Sequence, residues 1–405
     1  MHTAVGSVPS LSATTWSSIA PSTTGMVAAT SAADVGRAAV AVLLALAGLW
    51  LVGAVLMSAV RTVVVPRGER PLLTATVFLL VRKAMTPWVH HAGPGRRERL
   101  LRRYAPLALM SLAATWGLLV VVGFTPVHWV IGDLSWLDAA QVSGSSLTTL
   151  GFLSADPAPG RLVEVVEAFI GLGLVGLLIS FLPAIYSAYS QRELLVAQMS
   201  SRAGQPPTVD TFLARMHRIR GLDDLDDTWT EWESWFSLVE ETHTSYPALV
   251  YFRSGEDRSW LTNAGCLLDS AAMHLAAVDL PRSAPAALCI RSGFRCLRIL
   301  ADEFQLPYDP DPAPSDPISV TRVEFDACWD AMAAAGVPLV ADRDQAWLDW
   351  AGWRVNYDAA LLGLCSMVEP PPAAWSSDRA GPFHLTVLAQ IRALRRAGRE
   401  MEGGS

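Results

Sequence analysis

Thr148, Thr149, Leu150, Gly151 and Phe152 stand in a row. What this row offers is oxygen: five backbone carbonyls and two hydroxyls. Turned to one side, such oxygens can replace the water around a cation. That needs unusual backbone angles, and Gly151 can supply one. Upstream, residues 136–149 read as a short helix of apolar and small residues. Ser135 can cap it, and Asp138 falls in its first turn, where a carboxylate suits the positive helix end. Downstream the chain returns through Pro157, Pro159, Gly160 and Arg161. Glu164 and Glu167 follow at i,i+3 in a long apolar stretch, where a carboxylate is costly and calls for a partner. Glu167 is expected to bond the short helix at Ser145 or Ser146, and Glu164 to sit at the membrane interface.

The elements that must hold this row are membrane helices. Hydrophobic residues make up 51% of the 405-residue chain and charged residues 17%, against about 25% charged in soluble domains. The mean hydropathy of +0.31 fits the same reading. The first 193 residues carry 13 Lys and Arg against 9 Asp and Glu, whereas the rest carry 18 against 29. All long apolar runs fall in the first part and all five cysteines in the second. The chain therefore divides into a membrane half and an acidic soluble half. Residues 1–33 carry no Lys, Arg, Asp or Glu and read as a disordered outer tail.

Residues 38–60 are almost continuously apolar, enough to cross a core of about 30 Å. The first transmembrane helix is placed at 34–61. Residues 72–81 are too short to cross and read as an interfacial helix within a basic cytosolic segment, 62–103. Residues 105–131 and 162–188 are the next two spans. Arg61, Arg67, Arg70, Arg82, Lys83 and the arginines of 96–103 gather on one side, and 132–161 lacks Lys and Arg until its last residue. The bias places the N-terminus outside and the soluble half in the cytosol, and the plasma membrane is the expected location.

A short helix followed by a Thr-Gly-aromatic run between two spans has the outline of a pore loop. Here the sequence resembles the pore domain of the tetrameric potassium-channel superfamily. Trp136-Leu137-Asp138-Ala139 resembles the start of its pore helix, Thr148-Thr149-Leu150-Gly151-Phe152 its filter, and Pro159-Gly160-Arg161 its turn into the inner helix. The resemblance covers about 105–192. It implies a cation channel passing potassium or another monovalent cation, with no cofactor and no enzymatic activity. It implies filter carbonyls at 148–152, Leu150 and Phe152 packed behind the filter, and Asp138 and Glu167 as its supports. Leu153 stands where the family commonly has a second glycine and Ser154 where it has Asp, with Asp156 two residues on, so the outer filter is expected to differ in shape. Gly173 or Gly176 is expected to be a gating hinge, Pro183 to kink the inner helix, and Ile179, Leu182 and Ile185 to lie near the inner gate. One pore loop encloses nothing, so a homotetramer is implied. A non-conducting receptor or scaffold that keeps the same fold is the alternative.

The expected fold class is thus an all-α membrane protein. One extra span and an interfacial helix precede a pore-loop domain at 104–192, and a helical cytosolic domain occupies 193–405. Helices are expected at 191–205, 258–279, 284–305, 320–335, 343–367 and 383–397, with a joint at Gly204, Pro206 and Pro207. No nucleotide-binding loop, paired-cysteine motif or nucleic-acid footprint is present. The cysteines read as buried thiols and Trp229, Trp232, Trp235, Trp347, Trp350 and Trp353 as core. A metal site at His243 with Glu240 and Glu241, cation binding at 223–227, and lipid binding at 96–103 are the minor readings. A regulatory ligand or protein partner is expected at the cytosolic domain, and membrane lipid around the first half.

Overall fold

The computed structural model describes residues 32–65, 72–154, 158–219, 221–255 and 258–381. The expected outer tail, the helix at 383–397, Arg67, Arg70, Asp156 and Pro157 lie outside them. Among the described residues the chain is all-helical, with no strand and one isolated antiparallel bridge between Val278 and Leu339.

Four helices are long and apolar enough to cross a membrane: α1 (Ala32–Val63), α2 (Leu72–His90), α3 (Pro94–Gly132) and α5 (Ala158–Ala203). The protein is a multi-pass, membrane-embedded chain on this ground. Between α3 and α5 stands the short α4 (Trp136–Leu147). The second half, expected from its charge to be soluble, is built from α6 (Val209–Arg218), α7 (Leu225–Ser245), a 3-10 turn η1 (Pro247–Tyr251), α8 (Trp260–Ala277), α9 (Ala284–Glu303), α10 (Arg322–Ala334), α11 (Arg343–Arg354) and α12 (Asp358–Val368).

Several elements differ from expectation. The helix begun by the 72–81 run continues through Pro87 to His90, because Arg82, Lys83 and Thr86 are ordinary helix residues and nothing before Ala92 stops it. The basic cluster 96–103 is not a separate segment but the first turns of α3, so the 103/104 boundary falls inside one helix. Likewise α5 runs unbroken for 46 residues across the 192/193 boundary, Pro183 included. The 343–367 stretch divides at residues 355–357, where the Asn356 amide turns back on the carbonyls of Gly352 and Trp353.

α1 and α3 cross by backbone approach. A Cβ on Gly48 would lie 2.1 Å from the Gly123 carbonyl oxygen, and one on Gly123 2.6 Å from Val52. Small residues at such crossings let helices pack closely without a hydrophobic driving force between them. The soluble helices surround a core centred on α8, of which nearly every residue is buried. Trp229, Trp232, Trp235, Trp260 and Trp350 are all buried in it, while Trp347 and Trp353 pack at its edge. All five cysteines are buried and unpaired.

Candidate functional site

α4 begins as its sequence suggests. The Ser135 hydroxyl accepts from Asp138 N at 3.2 Å and donates to the Asp138 carboxylate at 2.7 Å. Trp136 stacks on Trp129 of α3 with ring centroids 5.0 Å apart. Asp138 is therefore a capping partner. It lies about 15 Å along the helix from Thr148 and does not reach the 148–152 row.

The other end of α4 closes in a specific turn. Thr149 N donates to the Ser146 carbonyl and Leu150 N to the Ser145 carbonyl, both at 3.0 Å. These two bonds form a Schellman motif, whose residue after the cap must be left-handed. That residue is Thr149, at φ 57. Gly151 is left-handed too, at φ 65, as expected. Leu153, at the position where glycine is common in the resembled family, is not left-handed. Instead its N–H and carbonyl both meet the Ser145 hydroxyl, at 3.3 Å each. The chain thus reverses at 148–152 and runs back beside α4. The Thr148 hydroxyl is spent on the Gly144 carbonyl at 2.6 Å. Residues 148–154 are all exposed in the single chain. Among the described residues no donor reaches the carbonyls of 148–152. Leu150 and Phe152, expected to pack behind the row, are 70% and 62% exposed in the single chain.

α4 is pinned to both neighbours. Glu167 of α5 is fully buried, accepts from Ser143 of α4, and pairs with His128 Nε2 of α3 at 3.0 Å. One carboxylate therefore joins three helices. The expected partners, Ser145 and Ser146, are used otherwise: Ser145 on Leu153, Ser146 on the Val142 carbonyl. Helical phase explains the difference, since Ser143 and Ser145 are about 200° apart around α4. Glu164 meets the Ser154 hydroxyl at 3.0 Å on the exposed side. Sequence reasoning missed His128, whose signal was a lone imidazole in an otherwise apolar span.

The glycines of α5 divide in role. A Cβ on Gly171 would lie 2.0 Å from the Leu147 carbonyl oxygen, so Gly171 receives the end of α4. Gly173 and Gly176, the expected hinge, face open space in the single chain. Ile179 and Leu182 are exposed, but Ile185 is buried with Phe181 and Ala188 in the cluster built from α1, α2, α3 and Leu249 of η1, so the three do not share one face.

The lower part of α5 is seated in the soluble half through Arg192, which is fully buried. Its guanidinium donates to the carbonyls of Leu249 (2.9 Å) and Phe252 (2.6 Å) and to His243 Nε2 (3.0 Å). Trp235 Nε1 donates to the Arg192 carbonyl at 2.9 Å. Arginine cannot accept, so the imidazole is neutral, with its proton on Nδ1. Burial, then the Arg192 charge, pushes His243 well below its ordinary value. His243 is thus a structural acceptor and not a metal ligand. Among the described residues no cluster of His, Cys, Asp and Glu suited to a metal is present.

Of the 223–227 run, Asp226 receives the Ser283 hydroxyl, and Asp226 and Asp227 stand in the first turn of α7. In the 96–103 cluster, Arg97 pairs with Glu369 and Glu98 with Arg253. The soluble half has one roomy pocket among those described, about 230 Å³, between α6, α8 and α10, lined by Asp210, Cys266, Glu324, Cys328 and Trp375.

The chain matches no family model, no curated protein and no solved structure. What fold and site define is a class: an all-helical, multi-pass membrane protein whose second half is a set of helices packed round a core of their own.

Proposed function

We propose that the protein is a cation channel of the pore-loop type, assembled as a homotetramer in the plasma membrane, with 148–152 as its filter. The observation that supports this reading is the depth and exposure of that row. Leu147 lies beside Gly117 of α3 and Gly171 of α5. Gly117 is about 23 Å below the top of α3 and Gly171 about 20 Å below the top of α5. The row therefore sits well inside the apolar section, yet among the described residues no donor reaches its carbonyls. Irregular backbone at such depth is tolerated only when covered by protein or lining water. Closed symmetry around the row meets both needs: neighbouring copies cover Leu150 and Phe152, and the carbonyls face a hydrated axis.

The place of α2 supports a reading in which it does not span, despite its length. Thr62 at the end of α1 meets Thr74 at the start of α2, at 2.8 Å, and Tyr104 of α3 donates to the Phe78 carbonyl. Since Gly48 is level with Gly123, Tyr104 lies about 8 Å beyond the level of Thr62. α2 thus continues past the end of α1 instead of running beside it. The soluble half then takes the cytosolic side and regulates the pore through α5.

The test is flux of K⁺ and Na⁺ into liposomes holding the purified protein, with Gly151→Asp as control. Flux abolished by the substitution supports the channel, and the K⁺ to Na⁺ ratio gives its selectivity. A verified tetramer with no flux under any condition supports the non-conducting receptor or scaffold instead.

A further inference from the structure

Glu369 lies outside the site just described and is held in an unusual way. It ends α12 in the left-handed region, at φ 53, a conformation disfavoured for a residue with a Cβ. Its carboxylate crosses to the membrane half and is shared by two guanidiniums, Arg82 of α2 on Oε1 and Arg97 of α3 on Oε2. Its carbonyl accepts from Arg253 Nη2 at 2.5 Å. The same Arg253 donates to the Val368 carbonyl and grips the Glu98 carboxylate of α3 with two bonds, all at 2.9 Å. Residues 368–369 are therefore a joint between the soluble half and the α2–α3 hairpin.

Beside the carboxylate is a cavity of about 40 Å³, lined by Thr86, His90, Leu101 and Tyr104 together with both arginines. The Arg82 side chain is 12% exposed, with its guanidinium 5.4 Å from the Tyr104 ring centre. The Arg97 side chain is 42% exposed, so the pair opens to solvent on that side. Lys83 and Arg96 are exposed next to it. Two guanidiniums converging on one set of oxygens suit a phosphate as well as a carboxylate. A phosphate monoester brings three oxygens and more charge than one carboxylate. Arg82 is about 12 Å along α2 from the Thr62–Thr74 contact, so the site lies just beyond the end of α1.

We infer that Arg82 and Arg97 form a phosphate-binding site that Glu369 occupies as an internal stand-in, and that a phosphate monoester displaces Glu369 and frees the 368–369 joint. The inference does not rest on conduction.

The experiment uses the full chain in phosphatidylcholine vesicles and reads amide hydrogen exchange of residues 366–369, the last amides before the prolines at 370–372. Three additions are compared: roughly one-fifth phosphatidic acid, phosphatidylglycerol at equal charge, and inorganic phosphate without acidic lipid. Phosphatidic acid is expected to raise exchange about tenfold, equivalent to about 1.4 kcal/mol. Arg97→Gln is expected to remove the effect. Glu369→Gln is expected to bind a fluorescent phosphatidic acid about tenfold more tightly than the unaltered chain. A rise with inorganic phosphate alone also supports the site and makes a soluble phosphate its ligand, whereas a rise with phosphatidic acid only makes it a headgroup. An equal rise with phosphatidylglycerol would show a surface-charge effect and overturn the inference. So would unchanged exchange with both phosphate sources. Should Arg97→Gln not fold, the Glu369→Gln measurement decides alone, and no gain in affinity overturns the site.

Discussion

The carbonyl oxygen of Leu147 lies 2.0 Å from the place a Cβ on Gly171 would take. The end of α4 therefore rests on the bare backbone of α5, and only glycine permits it. Gly171→Ala must push the two helices apart, an overpacking cost of about 1–3 kcal/mol. Gly173→Ala and Gly176→Ala meet open space in the single chain and should leave the fold intact. Thermal denaturation of the solubilised chain separates the three variants. Equal losses for Gly171 and Gly176 would sink the assignment of the packing contact to Gly171.

The Glu167 carboxylate joins α3, α4 and α5 through His128 and Ser143. Removing one member of a buried pair leaves the other unsatisfied and costs about 3–5 kcal/mol. Glu167→Ala and His128→Ala should each be strongly destabilising. Their double variant should lose less than the sum, with a coupling of about 1–3 kcal/mol. Strict additivity in such a cycle would show that the contact carries no energy.

How much of this is legible in the sequence depends on whether the signal is local. The cap at Ser135 and Asp138 and the left-handed Gly151 are decided within a few residues, and the residue types state them. The partner of Glu167 is set by the phase of α4 against α5, which residue types alone leave open among Ser143, Ser145 and Ser146. Apolar length understates α2, because Arg82 and Lys83 continue a helix well. In the sequence Arg192 is simply the first charge after the apolar run 162–188. Its burial follows from α5 running on into the soluble half, where η1 and His243 wait for it. No spacing in the sequence announces that encounter.

Thr149 is a β-branched residue in the left-handed region, at φ 57, imposed by the Schellman turn that ends α4. The strain is about 1–2 kcal/mol. Thr149→Gly should relieve it, raising the stability of the solubilised chain by up to about 1 kcal/mol after the added freedom of the unfolded chain is counted. In the channel reading the same change removes a hydroxyl from the filter and should lower K⁺ flux. A variant that is less stable than the parent would mean that Thr149 makes contacts in the assembly that outweigh its backbone strain.

The soluble half should lose stability in mild acid. His243 is held well below its ordinary value of 6.5 by burial and by Arg192. His274 is lowered as well, by burial. A group with a depressed native value takes up its proton on unfolding, so its contribution is intact above the unfolded value and falls as pH drops below it. Such a histidine costs up to about 1.4 kcal/mol per pH unit from about pH 6.5 down to its native value, where the effect ends. Denaturation midpoints measured between about pH 7.5 and 5.5 should fall, and His243→Gln should flatten that slope. Identical slopes for the two proteins would exclude His243 as a source.

Arg354 is fully buried in the soluble core and ties together groups from three parts of it. Nη1 donates to both Asp269 oxygens (2.8 and 2.7 Å), Nε to Asp358 (2.7 Å) and Nη2 to the Trp375 carbonyl (2.6 Å). Tyr357 adds a hydrogen bond to Asp269 at 2.7 Å. Burial works against the guanidinium charge, but Asp269 and Asp358 outweigh it and keep Arg354 ionised. Burial raises the Asp269 carboxyl even with Arg354 beside it. Arg354→Met strips that carboxylate of its main partner and should cost about 3–5 kcal/mol at neutral pH. The deficit has a signed pH dependence. Without Arg354 the Asp269 value rises further above its unfolded one, and a group raised in the native state favours folding once pH falls toward the unfolded value. The variant should therefore recover part of its loss between about pH 7 and 5. Adding Asp269→Asn to Arg354→Met should restore stability at neutral pH and abolish the recovery, because the unpaired Asp269 charge is gone. A deficit that is the same at both pH values, with or without Asp269→Asn, would show that Arg354 acts through packing and not through its charge.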